Sequence, residues 1–432
     1  MAKSPAKLSV LTATSLVIAS MIGTGVFTSL GFQVVSIKTG FSILLLWVLG
    51  GITAFCGAVT YAELGSSFPR SGGEYNLMTR LYGAPFGFIA GWVSSTVGFA
   101  APASLAAMAL SSYMSSIIPS LPEKHFAVAV ILILAVVHAS SVRAGTAFQN
   151  IVTGLKVLLI AAFVVVGFFF SEPQNISLVP TAESFSEVIS PPFAVALVFV
   201  TYAYTGWNSS VYVVSELENP HKTLPRSFFV GTAIVMALYI SLNYVFLYAV
   251  PIPEMAGKVE VGVFAGRYIF GEVGGSVMAG MISILLLSTI SAYVFLGPRI
   301  IQVIGEDFDA LKWLSKKNGK GIPINAFISS TVLSICFIYT SSFEQVLLYT
   351  SFLLILITTL TSAGIFIRRT RFSDLKPKYL TWGYPVTPIV FIALNSWILI
   401  FMLVDKFYES MIGLSIIVVG FAFYFLVNRK QS

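Results

Sequence analysis

Long apolar runs separated by short polar connections set the pattern of this chain. Twelve such runs lie near 8–35, 41–65, 84–118, 125–141, 147–170, 192–215, 227–250, 274–303, 323–341, 344–368, 385–404 and 408–428. A helix of about 20 residues covers the hydrocarbon core of a bilayer, so each run is read as a span. The runs are continuous rather than alternating with period two, which excludes a closed β-barrel. The first continues from Leu8 past Gly25 to Val35, too long for the apolar segment of a signal peptide, and is kept as span 1. Little chain remains outside the spans. The expectation is an all-α membrane protein of twelve transmembrane helices with no soluble domain.

Two spans are interrupted. Span 1 reads Ala19-Ser20-Met21-Ile22-Gly23-Thr24-Gly25-Val26-Phe27, with two glycines around a threonine in mid-helix. Each glycine weakens a helix by about 1 kcal/mol and lets another backbone approach. Taken alone, this also fits a close helix–helix contact. Span 6 reads Tyr202-Ala203-Tyr204-Thr205-Gly206-Trp207-Asn208-Ser209-Ser210, which alone also fits a polar seam between helices. Together they occupy the first helices of two successive five-span units, the pattern of a transporter built from inverted repeats. An unwound helix exposes amides at one half-helix end and carbonyls at the other. Those groups suit a carboxylate and an ammonium, hence an amino acid.

Composition sharpens this. The chain is 56% hydrophobic and 10% charged, against about 25% charged in soluble domains. Its mean hydropathy is +0.89. A soluble enzyme, a nucleic-acid-binding protein and a disordered scaffold are excluded. With the N-terminus inside, 19 of the 25 Lys and Arg fall on inner loops and five on outer loops, so both termini are expected in the cytoplasm. Cys56 and Cys336 lie in apolar runs and cannot form a disulfide framework. None of the 18 acidic residues is expected at mid-membrane depth and the three histidines are scattered, so no catalytic set, metal site or cofactor is expected. A twelve-span carrier of another solute, such as a polyamine, a cationic amino acid or a non-amino-acid substrate, stays open as the alternative. A carrier with a long central inner loop is disfavoured, because only about ten residues, Glu216 to Arg226, join spans 6 and 7.

At this point the motifs are recognisable. Ile22-Gly23-Thr24-Gly25-Val26-Phe27 resembles the G-[ST]-G-[IV]-F motif of the amino acid–polyamine–organocation superfamily. The stretch YAELGSSFPRSGGEY at 61–75 is similar to its inner-loop signature. YTGWNSSVYVVSELENPHKTLPR at 204–226 and VRAGTAFQNIVTGLK at 142–156 resemble the L-type amino acid transporter branch, with a weaker match at Leu296-Gly297-Pro298-Arg299. The resemblance implies the leucine-transporter fold. Residues 1–170 would form the first repeat, 171–380 the second, and 381–432 two additional spans. It implies a secondary transporter of neutral L-amino acids in the bacterial plasma (inner) membrane, an exchanger or a proton symporter working by alternating access. The partners are then the amino acid substrate and the lipid bilayer, with no nucleic acid. L-type members usually carry phenylalanine, and glycine or an acid, where this chain has Tyr202 and Thr205, which argues against large aromatic substrates. Eukaryotic members join a glycoprotein subunit through a cysteine after span 3; Ser115 to Lys124 holds none, so no disulfide-linked heavy subunit is expected. Asn175-Ile176-Ser177 forms a sequon that chance readily supplies.

The resemblance assigns expected roles. Gly23, Thr24 and Gly25 would offer amides to the substrate carboxylate, and carbonyls of Met21, Ile22, Tyr202 and Ala203 would take its ammonium. Tyr202 would cover the substrate and Thr205 would shape the side-chain pocket, with Trp207 and Asn208 bracing the break. Lys156 is the one ionisable side chain expected deep in a span, nine residues and about 13 Å beyond Ala147. A buried lysine usually faces a partner or a cavity, although it snorkels to the interface if Gln149 and Asn150 lie there. The resemblance implies that it replaces the bound cation of sodium-coupled relatives, with Ser288 and Thr289 on the opposite wall. Glu63, Arg70 and Glu216 are expected at inner helix ends, where exposed pairs would close an inner gate. His138 is read as packing.

Overall fold

The computed structural model describes residues 7–140, 146–174, 176–319, 321–375 and 378–428. The sequon at Asn175 and the side chains of Gln149 and Asn150 lie outside the described residues, as do Lys3, Arg143, Lys320, Lys376, Arg429 and Lys430. The helices are, in chain order, α1 (Val10–Met21), α2 (Gly25–Ser36), α3 (Gly40–Ser67), α4 (Gly73–Tyr82), α5 (Ala84–Val93), α6 (Ala100–Ser115), α7 (Glu123–Ser140), α8 (Thr146–Phe170) and α9 (Ala182–Val188). There follow α10 (Pro191–Tyr204), α11 (Pro220–Ala249), α12 (Ile252–Met255), α13 (Val261–Asp307), α14 (Lys312–Ser315), α15 (Ile324–Thr340), α16 (Phe343–Arg371), α17 (Val386–Asp405) and α18 (Phe407–Asn428). A 3-10 segment, Ser209–Glu216, follows α10. The β-structure among the described residues is one isolated bridge, between Leu8 and Leu217. Nine helical stretches among the described residues are long and apolar enough to cross a membrane, ten if α9 with Pro191–Glu216, bent by 68°, is one span. Glu123–Ser140 and Ile324–Thr340 are helices where two further spans were expected.

The first span breaks at Ile22-Gly23-Thr24, between α1 and α2. The sixth breaks at 205–208, where α10 gives way to 3-10 turns. The two breaks cross. A Cβ on Gly25 would lie 2.5 Å from Ala203 Cα, so only glycine allows α2 this close to α10. Gly206 adopts φ +106°, and a Cβ there would meet the Ser20 carbonyl at 2.6 Å. A third interruption was not expected from the sequence. Ser94–Gly98 forms a π-helical turn between α5 and α6. The Ser95 and Thr96 hydroxyls donate to Gly91 O and Trp92 O at 2.7 Å, the back-bonding that bends helices.

Beyond the breaks the halves seal against each other. Ser29 Oγ donates to Phe199 O at 3.0 Å. Phe32 stacks on Phe199 and on Phe343, with ring centroids 5.2 and 5.7 Å apart. Tyr113 OH donates to Phe27 O at 2.9 Å and accepts from Gly262 N at 3.2 Å. At the opposite face, where α1 begins, Leu8 N donates to Glu216 O at 2.8 Å and Glu218 N to Leu8 O at 2.9 Å. The start of the first broken span is thereby tied to the end of the second.

Candidate substrate cavity between two broken helices

A cavity of about 640 Å³ runs from the two breaks to Leu8 and Glu216, at the face where α1 begins. Such a volume suits a small polar ligand with room to spare. On α2 its wall ends at Gly25, and on α10 it begins at Thr201, so it is blind at the sealed half. Of the expected substrate residues, Met21, Gly23, Thr24, Gly25, Tyr202, Ala203 and Thr205 line it.

The carbonyls expected to receive an ammonium already have donors. Met21 O accepts from Gly23 N at 2.8 Å and from Tyr239 OH at 2.6 Å. Ala203 O, 3.2 Å from Tyr239 OH, shares that one proton with Met21 O, and Tyr202 O accepts from Thr205 N at 3.0 Å. Ile22 is fully buried, is not on the cavity wall, and accepts from Lys156. The Gly23 amide is therefore also committed, to Met21 O, because the chain tightens into a turn after α1. Thr24 and Gly25 open α2, where the first amides of a helix lack an acceptor one turn back; Phe27 N alone reaches back, to Thr24 O at 3.1 Å. Tyr239, on α11, was not foreseen. Its hydroxyl joins the backbones of both broken spans, yet nothing in the apolar run of α11 distinguishes it from a packing tyrosine.

Lys156, on α8, is 3% exposed. Its Nζ donates to Ile22 O at 3.0 Å and to Thr289 Oγ1 at 2.8 Å, and Thr289 Oγ1 donates to Leu285 O at 3.1 Å. The lysine thus bridges the first break to α13, and both it and Thr289 reach the cavity wall. Ser288 does not join them. It is buried away from the cavity, with its hydroxyl unpaired among the described residues. One residue along a helix turns a side chain by 100°, enough to separate Ser288 from Thr289.

The acidic residues correct the sequence reading. Glu74, in the 61–75 stretch, stands at the start of α4, a helix end as the sequence reading has it, but it is not solvated. It is 3% exposed on the cavity wall, its carboxylate accepting from Asn208 Nδ2 and from Tyr212 OH. The fold tucks α4 beneath the second break, and a buried carboxylate needs such donors. Glu63 is fully buried and not an exposed gate residue. It pairs with Arg368 at 3.2 Å and Arg369 at 2.8 Å, and accepts from Thr381 N at 2.6 Å. This tie joins the end of α3 to the end of α16, away from the cavity. Arg70 is largely exposed and sits 3.9 Å from Asp307. Glu216 lines the cavity mouth, where its backbone holds Leu8. His138, read as packing, also lines the cavity.

Known proteins are similar to this sequence. A family model described as amino acid permease matches residues 8–423. The large neutral amino acids transporter small subunit 2 of Mus musculus is 27% identical, over 97% of this chain and 80% of its own length. The asc-type amino acid transporter 1 of the same species is 26% identical, over 97% and 81%. The serine/threonine exchanger SteT of Bacillus subtilis is 26% identical, over 99% and 98%. With a cavity bounded by two helix breaks and a family match that runs from the first described turns to the last helix, the chain belongs to the amino acid permease family.

Proposed function

We propose that this chain is a secondary transporter of small and medium neutral L-amino acids, an exchanger or a proton symporter, working by alternating access in a bacterial plasma membrane. The observation that carries this reading is the cavity whose blind end is formed by both helix breaks. The relatives named for neutral amino acids, and for serine and threonine, support the substrate class. In this reading the chain has twelve spans, two inverted five-span repeats and two additional helices, with both termini cytoplasmic and no disulfide-linked heavy subunit. The conformation described here is then the one open to the cytoplasm.

The substrate carboxylate lies at the first-turn amides of α2, at Thr24 and Gly25, where the partial positive charge of a helix start favours an anion. The ammonium lies near Met21 O and Ala203 O. Both lone pairs of Met21 O are taken, by Gly23 N and Tyr239 OH, so Ala203 O, which keeps a second lone pair beside the Tyr239 hydroxyl, is the carbonyl left to receive it. Tyr202 covers the substrate, and Thr205 limits its side chain. Lys156 supplies a fixed positive charge between the first break and α13, which makes sodium unnecessary. No group in this scheme reacts covalently with the substrate, so it leaves unchanged. Glu74, the carboxylate beside the second break, holds Asn208 and Tyr212, and in this reading it braces the break rather than meeting the substrate.

Uptake of labelled alanine, serine and leucine into proteoliposomes, with all common amino acids as competitors, tests the reading. Neutral amino acids should compete best and the label should be recovered chemically unchanged. Lysine or a polyamine outcompeting them, or a requirement for sodium, overturns it.

A further inference from the structure

The cavity extends well beyond the breaks, and its outer part carries chemistry that the central site does not use. Ser291, Phe295 and Arg299 follow one another at four-residue spacing on α13, so they share one helix face, and all three line the cavity. The Arg299 guanidinium lies flat on the Phe295 ring, its central carbon 3.4 Å from the ring centroid. From α7, the His138 ring tilts against Phe295, with centroids 5.3 Å apart, and its Nε2 is 2.8 Å from Ser291 Oγ. Stacking fixes the guanidinium plane and leaves its in-plane N–H edge as the donor surface. Among the described residues, which include all 18 acidic side chains, Arg299 makes no ion pair. A partly buried arginine without a carboxylate, on the wall of a cavity, is a site for a mobile anion.

We infer that Arg299, held flat by Phe295 and flanked by the His138–Ser291 pair, is a carboxylate-binding station in the outer cavity, distinct from the central site. Its ligand is the α-carboxylate of the amino acid in transit, so the inference rests on the amino acid reading above. Distance separates the two sites. Arg299 lies ten residues from Thr289, about 15 Å along α13, whereas Thr289 holds Lys156 at the first break. One small amino acid cannot reach both. The station therefore acts before the central site for substrate arriving at this face, and after it for substrate leaving.

The test uses the full chain in vesicles of a single orientation, with half-saturation measured separately for amino acid on the cavity-mouth side and on the sealed side. Arg299→Gln should raise the mouth-side value at least about threefold and leave the sealed-side value unchanged. Arg299→Lys should fall between, because a point charge lacks the bidentate fork. Phe295→Leu removes the stacking partner and should shift the mouth-side value in the same direction, a second route if Arg299→Gln fails to insert. Equal mouth-side values in wild type and in whichever of Arg299→Gln and Phe295→Leu inserts overturn the station. So does an Arg299→Gln effect that vanishes in vesicles of purely zwitterionic lipid, which would make a lipid phosphate the partner. Inorganic phosphate that binds to wild type and not to Arg299→Gln, yet never displaces amino acid, would also overturn it. Failure of the underlying reading is distinguishable, because wild type itself would then move no amino acid from either side.

Discussion

The Lys156 ammonium donates to the Ile22 carbonyl at 3.0 Å, joining the middle of α8 to the turn at which the first span breaks. In the proposed mechanism this covalently held cation takes the place of a bound ion at the break. Lys156→Ala leaves Ile22 O and Thr289 Oγ1 without that donor. An unmade buried bond costs about 1–3 kcal/mol, more beside a charge, so affinity or turnover should fall from several-fold to about a hundredfold. Wild-type uptake should be indifferent to replacing sodium with choline. Normal transport by the alanine variant would remove Lys156 from the mechanism.

Thr205 stands on the cavity wall at the end of α10, its hydroxyl donating to Thr201 O at 3.2 Å. In the proposed function its methyl and hydroxyl bound the space for the substrate side chain. Thr205→Gly should therefore extend inhibition of serine uptake to phenylalanine and tryptophan. An unchanged inhibition profile places Thr205 outside the side-chain pocket.

Glu74 is tested by comparing two variants. Glu74→Ala strips Asn208 and Tyr212 of their shared acceptor next to the second break, and exchange should fall more than about tenfold, in keeping with a lost charged hydrogen bond. Glu74→Gln keeps an acceptor and should retain more activity. With Glu74 as a brace of the second break rather than a substrate ligand, neither variant should change the poor competition by lysine. A lysine preference abolished by Glu74→Gln would instead make this carboxylate part of the substrate site.

The Glu63 cluster lies away from the cavity, so its loss should act on stability alone. Removing one partner of a buried ion pair costs on the order of 3–5 kcal/mol. Glu63→Gln should lower the melting temperature of the purified protein markedly, while half-saturation for amino acid stays at the wild-type value on both sides. A changed half-saturation with unchanged melting would restore Glu63 to a gating role.

Glu187, on α9, carries a pH-dependent tie. Burial alone would raise its pKa. Hydrogen bonds from the Thr39 hydroxyl, the Lys38 amide and Ser42 outweigh that and hold it below its ordinary 4.5. A carboxyl whose folded pKa is depressed adds stability that is complete above its ordinary value and is lost as pH falls through the folded value. The melting advantage of wild type over Glu187→Gln should be constant above pH 4.5 and shrink below it. An advantage that persists unchanged through that range rules out the ionised carboxylate as its source.

Much of the architecture was legible in the chain itself. Apolar runs specify helices, because in lipid every backbone polar group must be satisfied within the segment. Gly25 and Gly206 marked the breaks because no other residue permits those backbones to cross or a φ of +106°, whereas Gly23 beside them has room for a Cβ. Lys156 stood out because an ammonium inside an apolar run demands a partner. Tertiary structure alone decided which polar groups meet. Glu74 reaches Asn208 across 134 positions, and Glu63 reaches Arg369 across 306. Tyr239 joins Met21 across 218. Local pattern carries no signal of such distant partners. A helix face packed on protein and one facing lipid are both apolar, so hydropathy could not tell that α4 folds under the cavity, or that one face of α13 turns Ser291, Phe295 and Arg299 into it.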